Sequence, residues 1–243
     1  MGDWATGVYS MAFERANIVP APPNFSTAGP GFSIRGTLND GDDPKTTYIT
    51  PVMNGFQAGV SFMKDVAKGA NSIGSQTSAN TDGENWLSIG LKYTGKMGKS
   101  KIGLGFGYGR VSVPALKDDK TMIMLGGNIE NGPWKVGLGM HAQDDPLSTT
   151  GASSDGQSWS AGVKYTAGAH KYSLATFHGK ISADPTVAGD DESTTYMLAH
   201  NYAVSAGVTW MNALVVSDYD GEGTGATEDQ KGMGVHSSVK FTF

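Results

Sequence analysis

The sequence predicts an all-β protein, a transmembrane antiparallel β-barrel. Three observations carry that prediction. From residue 46 to the end, apolar residues recur with a period of two, in segments about ten residues long. The connections between these segments alternate between short and long, as they do where short turns close one rim of a barrel and long loops the other. The composition is thin in apolar residues, with 38% hydrophobic, 35 glycines in 243 residues and a mean hydropathy of -0.27. Such an average suits strands that put an apolar face to lipid and a bare or polar face to water. It excludes a helical membrane protein, since no apolar run approaches the roughly 20 residues a spanning helix needs.

The chain divides at Lys45. Residues 1–45 read as an irregular segment that holds half of the 10 prolines and ends in the turn-rich Asn39-Asp40-Gly41-Asp42-Asp43-Pro44. Trp4, Val8, Met11 and Arg15 allow one short helix there. No basic n-region or apolar h-region follows Met1, so no signal peptide is visible, and the expectation is a cytoplasmic, mature or partial chain.

Residues 46–243 read as barrel strands. Eleven are expected, near 46–52, 55–64, 84–94, 100–112, 120–131, 133–143, 157–167, 170–180, 193–203, 205–217 and 231–243. In the third, Leu87, Ile89, Leu91 and Tyr93 alternate with polar or small residues. In the fourth, Ile102, Leu104, Phe106 and Tyr108 alternate with Gly103, Gly105, Gly107 and Gly109. In the sixth, Trp134, Val136, Leu138 and Met140 share one face, with Lys135, Gly137, Gly139 and His141 on the other. The glycine series has the spacing of a strand face, not of the turn and helix that a dinucleotide fingerprint requires. Short links are read at Met53-Asn54, Asn131-Gly132, Gly168-Ala169 and Val204, and long ones at 65–83, 144–156, 181–192 and 218–230.

Tyr93, Tyr165, Tyr202 and Phe241 all stand near short links or the chain end, which predicts an aromatic girdle on one rim. Lys92, Lys135, Lys164 and Lys240 fall on the opposite parity and are expected to line the lumen. Most of the 23 carboxylates lie in or beside the long connections, leaving Glu130 as the one acid well inside a strand. One mouth is thus acidic and the other basic. The net charge of -5 argues against a nucleic-acid partner. Cysteine is absent, which removes disulfides, thiolate metal sites and cysteine nucleophiles. The 5 histidines offer no close pair at metal-ligand spacing on one face. Asp218, Asp220 and Glu222, with Asp229 at the twelfth position, have the carboxylate spacing of a Ca2+ loop, although an acidic surface loop accounts for them as well. No other cofactor is expected.

Tyr48-Ile49-Thr50-Pro51, followed by Gly55-Phe56-Gln57-Ala58-Gly59-Val60-Ser61-Phe62, the Lys-aromatic strand ends and the terminal Val239-Lys240-Phe241-Thr242-Phe243 together resemble the Gram-negative general porins of the α-proteobacterial type. The resemblance covers roughly residues 30 to 243. It implies an outer-membrane channel for passive diffusion of ions and small hydrophilic solutes, without enzymatic activity. It further implies a homotrimer in contact with lipid and lipopolysaccharide, inserted by an outer-membrane assembly machinery that reads Phe241 and Phe243. Such porins have sixteen strands and a third loop that narrows the pore. On that pattern residues 1–45 are the constriction loop, with Glu14, Arg15, Arg35, Asp40, Asp42 and Asp43 at the narrowing, and five earlier strands are missing. Asp40, Asp42 and Asp43 are also ordinary turn formers. Two alternatives stand beside this reading. One is a smaller twelve-stranded barrel, with residues 4–13 as a further strand and an enzymatic or adhesive role. The other is a secreted soluble β-rich adhesin.

Overall fold

A computed structural model of the chain describes residues 46–65, 84–112, 119–144, 155–182, 190–221 and 230–242. Eleven strands run in sequence order: β1 (Thr46–Ile49), β2 (Phe56–Asp65), β3 (Glu84–Met97), β4 (Ser100–Ser112), β5 (Lys120–Asn131), β6 (Trp134–Asp144), β7 (Asp155–Ala167), β8 (His170–Ser182), β9 (Asp191–Ser205), β10 (Val208–Asp220) and β11 (Gln230–Phe241). Each pairs antiparallel with the next in one sheet of order β1 to β11. Among the described residues β1 and β11 each have one strand neighbour, so both edges stand open.

Among the described residues five tight turns close one rim. Asn54 and Gly55 have φ of 51° and 86° between the bridged Met53 and Phe56, the pair of positive angles that a type I′ hairpin demands. Gly98, Gly132 and Gly168 take φ of 57° to 60° as the first central residue of their two-residue loops, the position where a type II′ turn needs glycine. The fifth turn departs from expectation. It lies at Ala206-Gly207, not at Val204, and Gly207 holds a φ of 75°. Val208 pairs with Ser205 while Thr209 pairs with Ala203, so Val204 is an extra, bulged residue in β9.

Other strand ends also moved. The first strand stops at Ile49 instead of 52, because Pro51 has no N–H to give the ladder. β3 continues to Met97, and β9 and β10 reach Asp191 and Asp220. Asp191, Glu192, Asp218 and Asp220 are therefore strand residues, and Glu130 is not alone as an acid within a strand. Backbone pairing does not require apolar side chains, so the ladder runs on past the apolar band.

The register shows how steeply the strands lean. Following direct pairs, the row through Phe56 at the start of β2 passes Tyr93, Leu104, Gly127, Leu138, Ala161, Thr176 and Tyr196 to reach Val216. The tight-turn end of β10 is Val208, which lies 8 residues further down. A stagger of about one residue per strand, at ~3.3 Å rise and ~4.8 Å strand spacing, is a tilt of roughly 35°, the value of a closed barrel.

The two faces are chemically opposite. One carries Leu91, Phe106, Leu125 and Met140 in one row, and Ile129, Val136, Val163, Leu174, Leu198 and Leu214 in another. Most of these side chains stay exposed, and Val235, paired with Leu214 on the same face, is 79% exposed. No second layer covers them among the described residues. A soluble sandwich would bury such a face against another sheet, so the adhesin alternative does not fit.

Candidate functional site

The outer face is banded. Near the tight turns it carries paired rings, with Phe56 against Tyr93 and Trp134 against Tyr165, each at 4.6 Å between centroids. Further along the same rim His170 stacks on Tyr202 at 4.6 Å and Tyr172 on His200 at 4.8 Å. Trp210 donates its Nε1–H to Ser237 Oγ at 2.9 Å. Amphipathic rings of this kind sit at the headgroup level of a bilayer. Toward the long loops the same face becomes ionic. Lys180 reaches Asp190 at 2.7 Å and Glu192 at 3.2 Å, and Lys231 reaches Asp218 at 2.7 Å. Between these limits β6 offers only Trp134, Val136, Leu138, Met140 and Ala142. That stretch rises about 22 Å along the membrane normal at a ~35° tilt, close to the height of an apolar barrel band.

The inner face differs from the outer one along its length. Its centre is bare: Gly59, Gly90 and Gly107 face one another across β2 to β4, and Gly105, Gly126 and Gly139 across β4 to β6. At the tight-turn end the face turns basic. Lys96, Lys101, Glu130, Lys135 and Lys164 occupy one row on β3 to β7. Lys101 Nζ donates to Glu130 Oε1 at 2.9 Å. Lys92 and Lys240 lie on this face too, opposite Gly105 and Thr209. The parity reading of Lys92, Lys135, Lys164 and Lys240 thus matches the register, which sets them opposite Tyr93, Trp134, Tyr165 and Phe241.

At the long-loop end the inner face is apolar, which the bare-wall reading missed. Trp86, Val111, Met122 and Met124 are all buried there. The unbroken apolar run Met122-Ile123-Met124-Leu125 was the available signal, because a strand with apolar residues at consecutive positions has two apolar faces.

Other expected residues are placed as follows. Asp218 and Asp220 stand two apart in β10, where extended backbone does not curl as a cation loop must, and Asp218 is held by Lys231. Glu222 and Asp229 lie outside the described residues. Phe241 pairs with Val208 at the end of β11 on the outer face, and Phe243 lies outside the described residues. So do Glu14, Arg15, Arg35, Asp40, Asp42 and Asp43, with the helix and strand readings of the first segment. The histidine reading needs correction: His170 Nδ1 and His200 Nε2 come within 3.0 Å on the outer face. They are 30 residues apart, and only the β8 and β9 register, which pairs His170 with Tyr202, makes them neighbours. No group of three metal-binding side chains occurs among the described residues.

Asp119, at the long-loop rim beyond the band, accepts hydrogen bonds from Ser112 and Arg110, which hold its carboxyl below the usual carboxylate range, the Ser112 bond most strongly.

Comparison with known proteins agrees with this geometry. The family model described as Gram-negative porin matches residues 1–224. No curated protein matches the chain. Among solved structures, the anion-selective porin of Comamonas acidovorans superposes with a TM-score of 0.60 at 18% identity, covering 82% of this chain and 59% of that one. A porin refined at 1.8 Å gives 0.56 at 18% identity, with 83% and 62% covered. The trimer form of OmpT from Vibrio cholerae gives 0.53 at 12% identity, with 82% and 65% covered. The chain therefore spans about three-fifths of the length of these solved proteins, and the likeness to them is one of fold.

Proposed function

The chain belongs to the Gram-negative porin family of the bacterial outer membrane, and on that premise we propose that the whole protein is a general diffusion channel, passing ions and small hydrophilic solutes through a water-filled lumen. One observation supports this reading above the rest. A single sheet, tilted as in a barrel, carries an aromatic-rimmed apolar band on one face and, on the other, glycine at the centre and lysine toward the tight turns, with apolar residues buried at the long-loop end. Lipid accepts the first face, and water the second. The open edges of β1 and β11 would be costly in a bilayer, so in the assembled protein both are paired.

Such a channel performs no covalent chemistry. Selection comes from width and from charge at the narrowing. We assign the narrowing to residues 1–45 by resemblance, with Glu14, Asp40, Asp42 and Asp43 as acids and Arg15 and Arg35 as bases. A homotrimer is the assembly proposed, and one of the similar solved proteins has a trimer form. Phe241, at the tight-turn end of β11, is proposed with Phe243 as the assembly signal.

The test is conductance of the folded protein in planar bilayers. Discrete, ohmic current steps are expected. A heat-modifiable, detergent-stable sample that inserts and yet gives no steps would refute the channel.

A further inference from the structure

We propose that Lys135, Lys164, Lys171 and Ser173 form a binding station for inorganic phosphate on the inner wall near the tight turns. The inference rests on the channel reading above and deepens it by naming a solute class. Lys135 on β6 stands directly opposite Lys164 on β7, and Lys164 in turn faces Ser173 on β8. Lys171 precedes Ser173 by two on the same face, diagonal to Lys164.

Like charges set directly across a sheet work against its stability. The row holds one carboxylate, Glu130, which accepts from Lys101 at 2.9 Å and faces Lys135 from the other side, so a single acid stands against three lysines, Lys101, Lys135 and Lys164. Among the described residues no hydrogen bond or ion pair engages Lys135, Lys164 or Lys171. Ser173 adds a second, independent sign. It is 3% exposed, and its Oγ has no hydrogen-bond partner. A buried hydroxyl left unsatisfied is costly unless a ligand completes it.

The wall around the patch leaves room. Gly137 follows Lys135 and Gly162 precedes Lys164 at the next inward positions of their strands, and these glycines face each other. Three ammonium groups and one hydroxyl are donors only or donor-capable, which suits a tetrahedral oxyanion with several acceptor oxygens. The three lysines lie on the face opposite the apolar band and are not buried, so a free anion in the lumen reaches them and a lipid headgroup does not.

The experiment measures single-channel chloride current as inorganic phosphate is added. Phosphate is expected to reduce the current saturably. Lys164→Gln should raise the half-saturating concentration by about tenfold, the loss of one charge-assisted contact. The triple variant Lys135→Gln, Lys164→Gln, Lys171→Gln should abolish the effect, and Ser173→Ala should weaken it a few-fold. Lys231→Gln, on the outer face, should change nothing. Chloride current that phosphate leaves unaltered in the unsubstituted protein, or equal phosphate sensitivity in the triple variant, overturns the station and leaves the channel standing. Absence of any current from folded protein overturns both.

Discussion

Gly55 shows how much one residue can specify. Its φ of 86° belongs to the left-handed region, and a Cβ there would lie 2.3 Å from the Thr94 carbonyl oxygen. Gly132 has a φ of 57°, but a Cβ would meet nothing within 4 Å. Gly55→Ala should therefore destabilise the barrel by about 2–3 kcal/mol and Gly132→Ala by about 1 kcal/mol. Urea titration followed by the folded gel mobility measures both, and equal effects would deny the close approach of the β2 turn to β3. At the opposite rim, Asp119 makes a pH-dependent contact. Its carboxyl is held below its ordinary value by Ser112 and Arg110, so the contact contributes fully above the unfolded pKa of ~3.9 and is lost as pH falls through the lower folded value. The protection factor of amides near Lys120, with the intrinsic pH dependence of exchange divided out, should stay flat from pH 7 to 5 and fall only in stronger acid. Asp119→Asn should remove that dependence. Because Arg110 is half exposed, the pair contributes less than about 1 kcal/mol.

The strand is the element at which sequence and structure agree most closely. Period two is a local signal, and alternation such as Trp134, Val136, Leu138 and Met140 against Lys135, Gly137, Gly139 and His141 fixes the facing of β6 without knowledge of its neighbours. Three of the five tight turns are legible within one residue of their place, at Met53-Asn54, Asn131-Gly132 and Gly168-Ala169, and a fourth, at Gly98, falls in the stretch 95–99 left between two expected strands. The fifth was misplaced because the Val204 bulge depends on how β9 pairs with β10, and pairing is not written in either strand alone. The His170 and His200 contact escaped for that reason too. Facing yields a sharp expectation for substitutions: Leu138→Arg, at the middle of the band, should cost about 2–4 kcal/mol in lipid. Lys135→Gln, three residues away on the other face, should cost less than about 0.5 kcal/mol. Unfolding in lipid vesicles compares them, and similar losses would mean that the faces are assigned wrongly.

At the scale of the molecule, the alternation of short and long connections carried the architecture, since only a sheet with two unlike rims sorts its loops. The chemistry of the inner face was half legible. Lysine parity pointed inward, but Ser173 became part of the patch only once the register set it opposite Lys164, and the apolar end at Trp86 and Met122 was hidden by the same average that made the chain look polar. The central claim is that one face of this sheet meets lipid and the other water. Because the chain contains no cysteine, single thiols along β6 test it directly in protein folded into vesicles. A charged, membrane-impermeant maleimide should label Lys135→Cys, Gly137→Cys and Gly139→Cys, and should spare Val136→Cys, Leu138→Cys and Met140→Cys. Uniform labelling along the strand, or the inverse pattern, would contradict the account.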